Sequence, residues 1–244
     1  MTTEFSTLTP QNQKPRINIT TELRHQNAYT LALNGEYADV AFDEIRAPLN
    51  KFCWRRKVFS SPVEIPLDLE IGTGAGTHFA YYCHKNPDRR VIGMELKYKP
   101  LIQTIRRALN LGAKNAAVTR FHAFDIEQLF AENELDNIMI HFPDPWVSPR
   151  KPKNRTVSAL LLNVLYKLQR PGSILEFKTD SLEYFDWSLE EILKTPYKMT
   201  FMTKDLHRSE MATQNFETTF EKIFLRQGVK INYLRLEKPT GEFC

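Results

Sequence analysis

Residues 142–146 read Phe-Pro-Asp-Pro-Trp. The two prolines fix the backbone on either side of Asp144 and remove donors there, so one carboxylate is held stiffly between two rings. A ring in such a place can stack on a nucleobase, and the acid can accept from the base's N–H groups. The following stretch, Val147 to Arg155, carries Arg150, Lys151, Lys153 and Arg155 and no acid. Such a run attracts phosphates, though it also suits an ordinary solvated loop.

A second constellation lies upstream. Glu70-Ile71-Gly72-Thr73-Gly74-Ala75-Gly76 places three of the chain's nine glycines at alternate positions. Glycines in a turn between a strand and a helix let the backbone bend sharply and let a ligand come close. Glu95, at the end of the next apolar run, is placed to accept from both ribose hydroxyls of a nucleoside cofactor. The dinucleotide pattern GxGxxG would need glycine where Thr77 stands, and Glu70 would repel a pyrophosphate. S-adenosylmethionine, with an ammonium, a sulfonium and no phosphate, suits these residues better. Asp125, after the third apolar run, is placed to meet an adenine amino group; Asp125 with Gln128 also reads as a helix cap.

The elements that must hold these residues are visible from Pro66 onward. Strands are expected at 67–71, 90–96, 116–123, 136–142 and 173–179, and helices at 77–85, 99–112, 157–168 and 182–193. Strands alternating with helices mean stacked βα units around a buried, mostly parallel sheet. In such sheets ligands sit beyond the carboxyl ends of the strands, so Asp144 faces the cofactor's reactive side. The tail, around 198–203 and 230–238, reads as an antiparallel edge pair. Residues 1–20 read as a flexible arm, 21–60 as a helical or irregular extension, and 61–244 as the main domain.

Composition sets the outer bounds. The chain has 244 residues, 42% hydrophobic and 25% charged, with a net charge of +4. That suits one soluble domain and a polyanionic partner without demanding one. Three scattered cysteines with no CxxC pair argue against a disulfide framework or a zinc site. The amino terminus lacks an apolar run, and no stretch approaches a membrane span. A cytoplasmic protein, with no metal, no membrane and no obligate protein partner, is the expectation.

Taken in order, EIGTGAG, GMEL, FPDPW with its basic loop, FKTD at 177–180 and TTFEKIFLRQG at 218–228 resemble the tRNA (guanine-N7-)-methyltransferase family. The match runs from about 67 to 236. The resemblance implies a Rossmann-like class I methyltransferase fold that transfers a methyl group from S-adenosylmethionine to N7 of a guanosine in the tRNA variable loop. It implies cofactor-site roles for Glu70, Gly72, Gly74, Gly76, Glu95, Asp125 and Asp144, with Asp144 also the catalytic candidate. Substrate contacts are implied at Ser148, Arg150, Lys151, Lys153, Arg155, Asp180, Thr218, Thr219, Phe220 and Glu221. Ser148 stands where the family commonly has lysine, and Lys151 and Asn154 also depart from its pattern. Asp180 with Glu183, and Thr218 with Glu221, have a plainer use as capping boxes. Other readings are a methyltransferase acting on another RNA, a small molecule or a protein; a nicotinamide-dependent dehydrogenase, disfavoured by Thr77; and an inactive tRNA-binding protein.

Overall fold

Short runs of Val, Ile, Leu and Met bounded by turn residues form the strands, and their length keeps them from being helices. In the computed structural model, residues 16–146 and 154–241 are described. In chain order the main elements are α1 (Ala28–Asn34), β1 (Ala41–Phe42), β2 (Leu67–Ile71), α2 (Thr77–Lys85), β3 (Arg90–Met94), α3 (Tyr98–Asn110) and β4 (Ala116–Thr119). There follow β5 (Ile138–His141), α4 (Ala159–Leu168), β6 (Ile174–Thr179), α5 (Leu182–Ile192), β7 (Lys198–Thr203), α6 (Thr219–Arg226) and β8 (Asn232–Glu237). One eight-stranded sheet has the order β1-β4-β3-β2-β5-β6-β8-β7. It is parallel from β1 to β6, and β8 and β7 add as antiparallel strands. The expected edge pair is therefore present, and β7 carries a register shift between Met199 and Phe201.

Alternation along the strands sorts the two faces. Leu67, Leu69 and Ile71 of β2 join Ile138, Ile140, Leu175, Phe177 and Leu234 in a core closed by α4, α5 and Trp54. The opposite face is apolar over β3 and β4, where Val91 and Val118 pack on Phe79, Leu101 and Ile105. Beneath β2, β5 and β6 that same face is polar, because Asp68, Glu70, His141 and Lys178 fall there, all buried. A charge there must find partners, since one buried alone is costly. Asp68 shows how: it accepts from the Tyr82 hydroxyl at 2.8 Å, the Asn137 amide at 2.9 Å and Arg89 through both carboxylate oxygens.

The N-terminal quarter is stitched to the sheet. β1 pairs with β4. Trp54 is wholly buried and its indole donates to the Leu129 carbonyl at 2.8 Å. Arg55, in a π-helical turn over Trp54–Val58, points inward to Asp136 at 2.8 Å. Residues 16–20 are anchored as well. Thr20 donates to Glu44 at 2.9 Å, and Arg120 donates to the Asn18 carbonyl at 2.7 Å.

Three expected strands end early, β5 by one residue at His141. β3 stops at Met94, and β4 stops at Thr119 because the chain turns into a 3-10 helix over Ala123–Gln128. His122, not Asp125, caps that helix, its side chain accepting from the Phe124 amide. The Asp180–Glu183 box is also replaced: Ser181 caps α5 by accepting from Tyr184, and Glu183 turns to Arg155. In both places the residue nearest the true first turn takes the cap and leaves the acid free for other contacts.

The Asp68 cluster gives a stability test. Asp68→Ala strands a half-buried guanidinium and should lower unfolding free energy by about 3 kcal/mol, measured by urea denaturation.

Candidate active site

Gly72, Gly74 and Gly76 all adopt left-handed φ angles of 79°, 54° and 76°. A side chain on Gly76 would sit 2.5 Å from the Thr104 Cα, so this glycine lets α2 press against α3. A side chain on Gly74 would meet nothing within 4 Å. The loop is therefore tight behind and open in front, as a turn that receives a ligand must be. Thr104 fastens it from behind, donating to the Gly74 carbonyl at 3.1 Å.

Glu95 belongs to the same loop. One oxygen accepts from the Gly74 amide at 3.1 Å and the other from the Lys97 amide at 2.9 Å. Two backbone donors aim the carboxylate and leave further lone pairs for hydroxyl groups. Asp125 sits farther along the same rim and accepts from Arg16 at 3.0 Å.

Glu70, a candidate for holding an ammonium through a hydrogen bond or water, lies buried near the end of β2. It is 2% exposed, and its carboxylate is joined to His78 Nδ1 at 2.8 Å. It braces the start of α2 from beneath the loop. The His78 ring stands edge-on to His141 at 4.4 Å. Neither ring nitrogen of His141 has a partner among the described residues. Burial, helped by the charges of His78 and Lys178, holds His141 well below the usual histidine range, so it is neutral.

The Phe-Pro-Asp-Pro-Trp turn follows His141 directly. Its two bracketing aromatics, Phe142 and Trp146, both take left-handed φ angles, 51° and 44°. Bulky residues rarely adopt that region, so the turn is strained and has to be held from outside. Phe142 N donates to the Lys178 carbonyl at 2.8 Å, and Arg155 Nε donates to the Pro145 carbonyl at 2.8 Å. Asp144 is exposed between them. Burial pushes the Tyr184 hydroxyl above its usual range, and the charge of Asp144 adds to the effect.

Arg155 therefore does not extend the exposed basic loop. Its side chain is 5% exposed, bonds Glu183 at 2.8 Å and lies over the rings of Tyr184 and Trp187. A guanidinium so committed holds the turn and offers nothing to a phosphate. Ser148, Arg150, Lys151 and Lys153 lie outside the described residues.

On the neighbouring strand, Asp180 follows the end of β6, half-buried. Thr218 and Glu221 form the expected capping box at the start of α6. Both are buried, and Glu221 also takes His207 at 2.8 Å, Asn215 at 2.6 Å and Lys178 at 3.4 Å. Thr219 and Phe220 are the exposed members of that segment. The structure thus brings the glycine loop to Glu95, and sets Asp144, Asp180 and the Thr218–Glu221 box on adjoining strand ends. Sequence reasoning passed over Lys178 and read His141 as a packing or surface residue. For His141 the signal was present, a polar residue closing an apolar strand; β6 also carries Glu176 and Thr179, so Lys178 stood out less.

The same overall fold recurs in solved structures. The 16S rRNA methyltransferase KamB aligns with a TM-score of 0.53 at 18% identity, over 71% of this chain and 88% of that one. A SAM-dependent methyltransferase from Aquifex aeolicus aligns at 0.50 and 15% identity, over 72% of this chain and 83% of that one. The fold is that of the class I S-adenosylmethionine-dependent methyltransferases. A family described as "Putative methyltransferase" matches residues 64–234. The tRNA (guanine-N(7)-)-methyltransferase of Bdellovibrio bacteriovorus is 63% identical over 208 residues, 85% of this chain and the whole of that protein. That of Brevibacillus brevis is 30% identical over 68% of this chain and 78% of its own length. The chain belongs to the tRNA (guanine-N7-)-methyltransferase family.

Two measurements follow from this geometry. Glu95→Ala should weaken S-adenosylmethionine binding by roughly one to two powers of ten in calorimetry, the effect of losing a charged acceptor. His141 sets a pH dependence. Unfolded, it titrates near 6.5; folded, it stays neutral to lower pH, so the unfolded chain binds more protons in between. Stability should therefore fall as pH drops below about 6.5, by up to about 1.4 kcal/mol per unit. His122, also shifted down chiefly by burial, contributes with the same sign. His141→Leu should flatten that slope without loss of stability at pH 7.5, measured by denaturation across pH.

Proposed function

We propose that this chain methylates N7 of a guanosine in the tRNA variable loop, using S-adenosylmethionine. The observation that carries the proposal is Asp144, fixed on a strained turn at the end of β5, the strand that pairs directly with the strand leading into the glycine loop. The name of the Bdellovibrio relative, identical at 63% of positions over its full length, supplies the target atom.

When bound, S-adenosylmethionine supplies a methyl group activated by a sulfonium. Gly72, Gly74 and Gly76 would let the backbone meet it closely. Glu95 would accept from its ribose hydroxyls, and Asp125 has acceptor capacity left beside Arg16 for an adenine amino group. Glu70 would act at one remove, by holding His78 and the start of α2.

Guanine N7 keeps its lone pair in the ring plane, so no residue has to remove a proton before transfer. The chain's task is to orient the base, and orientation alone can supply roughly 7–11 kcal/mol in favourable cases. Asp144 would accept from the guanine N1–H and amino group. Its charge would also stabilise the positive imidazole ring that forms. Arg150, Lys151 and Lys153 would hold phosphates, with Ser148 a neutral neighbour. Asp180, Thr219 and Phe220 would face the RNA. Thr218 and Glu221 would keep that segment in place, and Arg155 would keep Asp144 in place.

Digestion of tRNA after incubation with protein and labelled cofactor should yield 7-methylguanosine. Asp144→Asn should leave tRNA affinity nearly unchanged and lower the single-turnover rate at least about a hundredfold. A variant keeping more than half the wild-type rate would remove Asp144 from catalysis.

A further inference from the structure

A cavity of about 460 Å³ opens beyond Asp180, between the end of β6, the end of β7 and the start of β8. It lies on the rim that carries Asp144, because β5 and β6 are parallel and end side by side, with His141 beside Lys178. From β5 to β8 is two strand spacings, about 10 Å. That is the reach of a neighbouring nucleotide in an opened strand. The volume falls in the range of small-ligand sites.

The lining has three kinds of surface. Leu182, half exposed, and Val229 form an apolar wall. Lys204 and Lys230 stand at the edge. Lys204 pairs with Asp186 at 2.7 Å and Lys230 with Asp205 at 3.2 Å, and both ammonium groups are at least half exposed. Exposed pairs of this kind hold weakly, so either lysine can turn to a phosphate at small cost. At the mouth stands Asp180, whose carboxylate has no side-chain partner among the described residues. Burial pushes that carboxyl above its usual range, against a hydrogen bond from its own amide. Thr203 accepts from the Asp205 amide at 3.1 Å and keeps its own hydroxyl proton to give. An apolar wall, two mobile cations and an acceptor at the mouth are complementary to a base, a phosphate and a base's N–H groups.

We propose that this cavity is a subsite for the nucleotide adjacent to the methylated guanosine, its base laid on Leu182 and Val229 and its phosphate held by Lys204 and Lys230. The proposal rests on the tRNA reading above. It gives the enzyme a grip on the splayed strand separate from the grip on the target base, so it acts on substrate affinity and not on the chemical step.

The test is methylation kinetics with tRNA transcripts, intact or made abasic at the nucleotide on either side of the target. Lys230→Glu, a surface change, and Leu182→Trp, which fills the cavity, should each raise KM for intact tRNA roughly tenfold, the loss of one stacked base or its phosphate. Both should keep kcat within about twofold and leave S-adenosylmethionine affinity unchanged. Lys230→Ala should lower the log–log salt slope of tRNA affinity by about 0.7–0.9. One abasic transcript should raise KM on wild type by a similar factor and add nothing further on Leu182→Trp. Unchanged KM in both variants, or abasic effects that simply multiply with Leu182→Trp for both positions, would overturn the subsite while tRNA methylation stands. Wild-type protein that forms no 7-methylguanosine in tRNA would overturn the underlying reading and the subsite with it.

Discussion

The substrate side of this protein hangs on one buried ammonium. Lys178 is 5% exposed on the polar face of the sheet, where burial lowers its proton affinity against neighbouring carboxylates that raise it. It stays paired because three segments converge on it. Its Nζ donates to Asn215, to the Phe216 carbonyl at 3.3 Å and to Glu221 at 3.4 Å. Its own carbonyl takes the Phe142 amide that begins the strained turn. One residue thereby sets the spacing between the acid turn, the loop before α6 and the α6 capping box. A buried cation is a costly choice for this purpose, but its partners are fully specified, which a hydrophobic contact would not ensure.

Around that anchor the polar face works as a continuous support. Glu70 holds His78; His78 lies against His141; Phe216, carried by the Lys178 loop, stacks on Tyr81 at 4.1 Å between ring centres. The cofactor loop and the substrate-side segments are thus braced by one layer of side chains beneath the strand ends. Arg155 completes the arrangement from the other side, over Tyr184 and Trp187. Rigid support of this kind suits a reaction whose chemistry asks for alignment and no proton transfer.

Much of this was legible in the sequence. Apolar runs of strand length alternating with periodic helices fixed the βα series, and 77–85 was read to its true ends. The glycine turn was readable because a sharp strand-to-helix turn demands residues that accept left-handed angles, and Glu95 because it follows the next apolar strand. The rest depends on contacts distant in sequence. β1 is two residues long, too short for any periodicity. Arg155 reads as one more charge in a basic run, and only its distance from Glu183 and Tyr184 in space turns it inward. Asp125 and Asp180 both resembled caps, yet His122 and Ser181 take those positions. Capping motifs identify a helix start to within a residue or so, and that is the difference between a cap and a site.

The far edge of the sheet carries a different consequence. β7 is the last strand, and most of its side chains are exposed, with Lys198 and Lys204 at its two ends. A long regular edge would invite a foreign strand to dock and extend the ladder. The register shift between Met199 and Phe201 breaks the row of free backbone groups and twists the strand locally. The irregularity thus acts as a guard against runaway strand addition. It leaves the protein resistant to polymerising through its only long unpaired edge among the described residues.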